Sequence, residues 1–481
     1  MTKEEYLNTL KDQIRDKHAK EFVGEEYKVH IEDQIDAYVK DGMSKDQAVL
    51  AAVKDMGDPV NVGASLDRIH RPHMEWKFLV FIIAISLISL AIKMYLNIYS
   101  YGGSINFFTL YFNQWTVQLI TTIIGIFFML VFYRLDYTVL NGKSRIIGIC
   151  FLFVITLFAG VFGQKHSGIL SHLYIGHWAT YLKSFILLFI PIFGGILYEY
   201  RGKGISAIIK IILWMVAPLI SLRIMDFNAL FIIWVIVFSE ITLLWIAIGK
   251  NWFTAKKHIS IPVSILPFIC FLFIYILPFI QNALLRKIQV AVMWRFEKYF
   301  FGKLSPETLS AMEKIFLFIA NMIDRQKISN FTNVKNVFQN SNYFGSSVSA
   351  LSYMDNKPIY RSDLLLGKIS AHFGIVLMLG VVILTFILSA YIMYISIRQK
   401  NKLGFIVGIA CSLALGFESI TNILTVLGVV GLSDSILPFI ADGGGILICH
   451  YIYVGLVLSI YRYKDIRKEK KQIKVNKVLS D

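Results

Sequence analysis

Cysteine, proline and charge are all scarce in this chain, and each scarcity closes off a class of protein. The four cysteines, Cys150, Cys270, Cys411 and Cys449, fall singly within apolar runs and form no C-x-x-C pair. That pattern argues against a disulfide framework and against a zinc site. Ten prolines against 32 glycines leave no proline-rich linker and suit packed transmembrane helices. Charged residues are 17% of the 481 positions while hydrophobic ones are 56%, a share above that of a soluble domain. No collagen, coiled-coil or tandem-repeat period is present. No apolar h-region opens the chain either. Met1 to Lys20 is charged and amphipathic, so the expectation is that no cleavable signal peptide is present and that the first membrane span directs insertion.

What the chain does carry is basic charge in particular places. The formal net charge is +16. Its clusters are Arg134 to Arg145, Arg201 to Lys203, Lys250 to Lys257, Arg398 to Lys402 and the tail from Arg462, each bordering a long apolar run. Such placement is what the positive-inside rule produces at cytoplasmic loops, and it argues against nucleic acid as a partner. The membrane lipid is the partner this charge implies.

Residues 1–72 read as a compact helical domain. Tyr6, Leu7, Leu10 and Ile14, then Val29, Ile31, Ile35 and Val39, then Ala48, Val49, Ala52, Val53 and Met56 recur at helical spacing. Ser44 with Gln47 predicts a capping box for the third helix, and Gly57-Asp58-Pro59 predicts its end. The run from Gly42-Met43-Ser44 to Met56-Gly57-Asp58-Pro59 resembles the permease-prefix domains found ahead of many Gram-positive membrane proteins. A cytoplasmic appendage without catalysis is the expectation.

The rest, 73–465, predicts an all-α polytopic bundle. A hydrocarbon core of about 30 Å needs about 20 apolar residues per helix. Ten spans meet that criterion, with cores near 78–97, 116–133, 146–163, 179–198, 206–222, 228–248, 261–280, 366–396, 404–428 and 438–460. Both termini then face the cytoplasm, with 466–481 as a basic tail, and the loops 98–115 and 429–437 hold no Lys or Arg, as outer loops should. One outer loop is long, 281–365, with a predicted helix over Leu304 to Ile323 and interfacial aromatics at Trp294, Phe296, Tyr299, Phe300 and Phe301.

Motifs within these spans carry a resemblance. Asn422-Ile423, Gly428 and Leu437-Pro438-Phe439-Ile440-Ala441-Asp442-Gly443-Gly444-Gly445 resemble, in matching register, the Asn-Ile…Leu-Pro-Phe-Ile-Ser-Tyr-Gly-Gly-Ser of the SEDS family, the glycosyltransferases of the RodA, FtsW and SpoVE type. Gln118, Gly125 and Asp136-Tyr137 stand at that family's spacing in the second span. Pro358-Ile359-Tyr360-Arg361-Ser362-Asp363, with Gly374 eleven residues on, is similar to its Pro-Glu-x-His-Thr-Asp…Glu-Glu-x-Gly segment. Lys183 matches the lysine of Glu-x-x-Lys before the fourth span, without the glutamate, and Ala371-His372 stands where the family has Glu-Glu.

The resemblance implies a peptidoglycan glycosyltransferase that polymerises lipid II at the outer face of the cytoplasmic membrane and works with a class B penicillin-binding protein transpeptidase. Asp363 falls on the family's required carboxylate and becomes the candidate general base, a role that contributes about 10²–10⁴-fold. Its alternative is a helix-capping aspartate. The leaving pyrophosphate needs positive charge, from side chains or from a divalent metal. Lys183, Arg295 and Arg361 are the candidates, with Lys165 further off, and no cofactor is fixed. Lys183 also reads as a snorkelling interfacial lysine. Asn422, Pro438, Gly443 and Gly444 read as structural motif positions, the glycines permitting close helix contact. His166, His172 and His177 share one outer loop, but their spacings of six and five give no helical face for a metal. Asp442 and Glu418 at membrane depth have no counterpart in the resemblance. Two other functions compete: a catalytically impaired SEDS-like scaffold or regulator of a transpeptidase, favoured by the lost Glu-Glu pair and the altered Glu-x-x-Lys, and a precursor flippase, which would predict paired interrupted half-helices.

Overall fold

The computed structural model describes residues 1–69, 74–100, 114–166, 169–175, 178–225, 229–254, 261–263, 265, 336–353, 365–427, 436–440 and 444–464. Four helices come first: α1 (Lys3–Asp12), α2 (Lys17–Lys40), α3 (Lys45–Asp55) and α4 (Pro59–Ile69). Tyr6, Leu10, Ile31, Ala48 and Ala52 are buried, and Tyr6 Oη donates to the Met56 carbonyl at 3.0 Å, closing α1 onto the end of α3. The capping box lies elsewhere than the sequence predicts. Ser44 precedes α3 without a side-chain cap, whereas at α1 the Thr2 hydroxyl accepts from the Glu5 N–H and Glu5 accepts from the Thr2 N–H. Val29 and Val39 also depart from expectation. Ile31, Ile35 and Tyr38 form the inward stripe of α2, and the two valines flank it at 46% and 44% exposure.

The membrane part continues with α5 (Trp76–Ser100), α6 (Gln114–Arg134), α7 (Ser144–Phe162), α8 (Phe189–Glu199, preceded by a 3-10 turn over Leu182–Leu188), α9 (Ile205–Met225) and α10 (Leu230–Gly249). After a short α11 (Val348–Ser352) come α12 (Leu365–Phe373), α13 (Ile375–Ile397), α14 (Lys402–Val426) and α15 (Gly445–Arg462). Nine helices among the described residues are long and apolar enough to cross a bilayer. They match nine of the ten expected spans. Most of the seventh, 261–280, and most of the loop expected outside, 281–365, with its predicted helix over Leu304 to Ile323, lie outside the described residues.

Three local departures from the all-helical reading concern the 164–181 segment and the motifs. Residues expected as a loop, together with 179–181 expected at the start of the fourth span, form a three-stranded antiparallel sheet, β1 (Gln164–His166), β2 (Ile169–Ile175) and β3 (Trp178–Tyr181), in the order β1-β2-β3. The region expected as one span over 366–396 is two helices. Gly374 sits between α12 and α13 at φ +94°, and the chain turns there. The last span begins at Gly445 rather than at 438, because Leu437 to Ile440 is non-helical and Gly444 at φ +81° precedes the helix.

Gly374 shows why its residue type is needed. The Gly345 and Ser347 N–H groups donate to the carbonyls of Phe373 and Ala371 at 3.1 and 2.9 Å, capping α12, while the Ile375 N–H donates to the Asn342 carbonyl at 3.0 Å. A Cβ at 374 would stand 2.5 Å from the Tyr343 carbonyl oxygen. Close approach recurs where α15 meets α6: a Cβ on Gly125 would collide with the Tyr451 ring, and one on Gly455 would lie 2.5 Å from the Met129 carbonyl oxygen. Gly374→Ala combines a left-handed backbone with that clash and is expected to cost about 1–3 kcal/mol. Thermal unfolding of the detergent-solubilised chain should show a clear drop in midpoint, and an unchanged midpoint would remove the constraint.

Candidate functional site

The Leu437–Ile440 segment carries the start of the Leu437–Gly445 motif. All of its residues are buried, and Pro438, which has no N–H to satisfy, sits in its non-helical stretch. Phe439 adopts φ +63°, unusual for a residue with a side chain. Its N–H points at α15 and donates to Nδ1 of His450 at 3.2 Å. Since that nitrogen accepts, the ring carries its proton on Nε2, which lies 2.6 Å from Oε2 of Glu418 on α14. Both side chains are fully buried. The Phe439 ring is tilted against His450 at 5.4 Å between centroids and meets Tyr451 edge-on at 5.1 Å. Tyr451 in turn shares a 2.6 Å hydrogen bond with Ser86 of α5, and Gln118 of α6 donates to Ser89 at 3.0 Å. Asn422 lies one turn beyond Glu418 on α14 and is 2% exposed.

A second layer joins this segment to the start of α12. Leu437 and Ile440 share one apolar cluster with Leu365, Leu366 and Ile369 of α12, Ile92 and Leu96 of α5, and Val426 of α14. Asp363 and Arg361 precede α12 by two and four residues and lie, with Arg295, outside the described residues. So does Gly443, while Gly444 caps α15 at positive φ.

Lys183 is described, and it is brought to the same helix. It is 4% exposed in the 3-10 turn before α8. That turn packs on α15: Cys449 Sγ donates to the Ser184 carbonyl at 3.6 Å and Tyr453 Oη to the Leu187 carbonyl at 2.7 Å. Cys449 is the neighbour of His450, so Lys183 stands one residue from a contact with the motif's own support.

Two cations were missed by the sequence reading. Lys93 on α5, 5% exposed, follows Ile92 of the apolar cluster, and Lys368 precedes Ile369 of the same cluster; the two lie within electrostatic reach of each other. A lysine inside the first span was the available signal, since an ionisable side chain at membrane depth is expensive. Among the described residues no group of three or more His, Cys, Asp and Glu side chains is placed to hold a metal. Backbone pairing sets His172 of β2 opposite Gln164 and Tyr181, and His177 is outside the described residues.

No family model matches the chain. Over 140 residues, 28% of its length, it is 27% identical to a probable peptidoglycan glycosyltransferase FtsW of Enterococcus hirae, and the match spans 34% of that relative. The chain therefore covers about a third of the curated relative. A solved peptidoglycan synthase complex, described for its structural coordination of polymerization and crosslinking, aligns with TM-score 0.52 at 15% identity over 81% of this chain and 99% of the other. The rod shape determining protein RodA of Thermus thermophilus aligns with TM-score 0.49 at 13% identity over 81% of this chain and 97% of its own. The fold thereby shared with the first of these structures is a multi-pass membrane helix bundle. The Asn422-Ile423 and Leu437–Gly445 register is thus found in a chain that is similar to an FtsW over part of its length and shares its fold with a solved peptidoglycan synthase complex.

His450→Leu would leave Glu418 buried without its partner, and breaking a buried pair from one side costs about 3–5 kcal/mol. Denaturant or thermal unfolding in detergent should show that loss, with Glu418→Leu/His450→Leu recovering part of it. If the double variant is no more stable than His450→Leu alone, the pair does not act as a unit.

Proposed function

We propose that the chain is a peptidoglycan glycosyltransferase that polymerises lipid II at the outer face of the cytoplasmic membrane, in partnership with a class B penicillin-binding protein. The observation that carries this reading is the apolar cluster in which the start of α12, two residues after Asp363, packs on Leu437 and Ile440. The helix that follows the Pro358–Asp363 motif in sequence and the Leu437–Ile440 segment, distant from it in sequence, thus share one apolar cluster. In the reaction, a sugar hydroxyl of one substrate attacks the anomeric carbon of another. The new glycosidic C–O bond forms as the bond to undecaprenyl pyrophosphate breaks, and the hydroxyl proton passes to the Asp363 carboxylate. Lys183, Arg361 and Arg295 supply charge for the leaving pyrophosphate, and Lys93 and Lys368 extend that set. A divalent metal is a further source of such charge that the reading leaves to experiment.

The likeness to an FtsW and to a complex that polymerises and crosslinks supports the enzyme over a scaffold or a flippase. The cytoplasmic placement of residues 1–72 and of both termini belongs to the same proposal, resting on the basic loops. In intact cells, a cysteine at Ser329 should react with an impermeant reagent from outside and one at Ser206, which starts the fifth span, should not. Outside labelling at Ser206 would overturn the orientation.

Asp363→Asn keeps size and hydrogen bonding while removing the base. Polymerisation of lipid II by the purified protein with its transpeptidase should fall by a factor on the order of 10² or more. Asp363→Glu should keep part of the activity, since a misplacement of about 1 Å can itself cost 10²-fold. Equal rates for the wild type and the Asn variant at matched protein level would reject Asp363 as the base.

A further inference from the structure

A cavity of about 710 Å³ lies far from these motifs, at the ends of three spans. Its walls are Glu75 and Lys77 at the start of α5, Tyr394 and Arg398 at the end of α13, and Tyr461 and Lys464 at the end of α15. These are the span ends that border the basic clusters at Arg398 to Lys402 and from Arg462. The size falls within the range of small-molecule sites, about 300–1,000 Å³.

Three cations face one carboxylate here. Glu75 is held by tyrosines, with Tyr391 Oη donating to it at 2.8 Å. Burial opposes its charge, but hydrogen bonds from Tyr461 and Tyr391 and the nearby Lys464 and Lys77 outweigh that and keep its carboxyl below the usual range. The cations make no ion pair within 4 Å among the described residues. Instead the Arg398 guanidinium lies over the Tyr394 ring at 4.1 Å, and the Lys464 ammonium over the Tyr461 ring at 4.1 Å. Stacking of this kind orients a cation and leaves its N–H donors available. The pocket therefore presents an excess of two positive charges on preset donors.

The surroundings say where the anion comes from. Trp76, at the head of α5 beside Glu75, is 64% exposed, as an interfacial aromatic is. Below it Val80 and Leu87 on α5, and Ile387 and Ile397 on α13, stay exposed as lipid-facing positions do. We propose that this pocket binds the phosphodiester head group of an anionic phospholipid from the leaflet on the basic-loop side, its acyl chains running along the exposed apolar faces of α5 and α13. Basic pockets between span ends are suited to such head groups, and each Lys or Arg near the membrane surface adds attraction.

The test compares ligands on the purified full chain in neutral detergent by microscale thermophoresis. Short-chain phosphatidylglycerol should bind about tenfold or more tightly than phosphatidylcholine of equal chain length. Arg398→Gln/Lys464→Gln should remove most of that preference, while Lys143→Gln, an exposed lysine in another basic loop, should keep it. Inorganic phosphate should not compete at concentrations matching the lipid. Equal affinity for the two lipids in the wild type, a result that needs no variant to fold, would overturn the site. Phosphate binding as tight as phosphatidylglycerol would overturn the lipid as its source.

Discussion

A peptide N–H at the depth of a bilayer must find an acceptor, and that of Phe439 finds the imidazole of His450. The segment from Leu437 to Ile440 leaves helical geometry between two spans, so its backbone has no helical ladder to complete. One ring satisfies it from α15, and Glu418 on α14 fixes which nitrogen of that ring is free to accept. The arrangement ties α14, α15 and the connecting segment into one unit. The same segment's Leu437 and Ile440 then receive α12. Had the chain placed apolar side chains at 418 and 450, the Phe439 amide would lack this acceptor, and the platform on which the start of α12 rests would lose its anchor.

The spans were legible because a bilayer imposes length and apolarity on every crossing segment, and nine of the expected cores coincide with helices. Hydropathy carries less about where helices break. Gly374 and Gly444 both interrupt runs that are apolar on either side, and only their positive φ, invisible in the sequence, marks the turn. The small sheet over 164–181 was hidden for a related reason: its pairing is made by backbone groups, which composition does not report. At Ser44 the capping pattern was present without the bond, while Thr2 and Glu5 formed one at the chain's start. Local motif and local structure are therefore separable at exposed helix ends, where solvent can satisfy the same N–H groups.

Of the candidate site, sequence register located the motif but not its support. Glu418 stood out as a carboxylate in a span, yet its partner was not recognised, because His450 lies on another helix 32 residues away and only folding brings them together. Lys93 carried a signal of its own as a lysine inside a span, whereas Lys368 becomes notable only as its neighbour beside one apolar cluster. Lys183 was singled out through its motif, and it is nearly fully buried in a 3-10 turn that packs on α15.

Burial is distributed so that the centre is rigid and the rim meets lipid. The span Gly445–Arg462 is 83% buried and those at Leu182–Glu199, Phe231–Gly249 and Lys402–Val426 are 72% buried, whereas Ser144–Phe162 is 17% buried. Lys183, Glu418, Asn422 and His450 all belong to the buried group. Groups that must hold a geometry are best carried by helices whose rotamers are fixed on every side. The lipid-facing spans obey a different constraint, needing only an apolar exterior, and tyrosines and cations gather instead at span ends, those of the buried α15 included. Position in the bundle, more than position in the sequence, separates residues suited to chemistry from residues suited to the membrane.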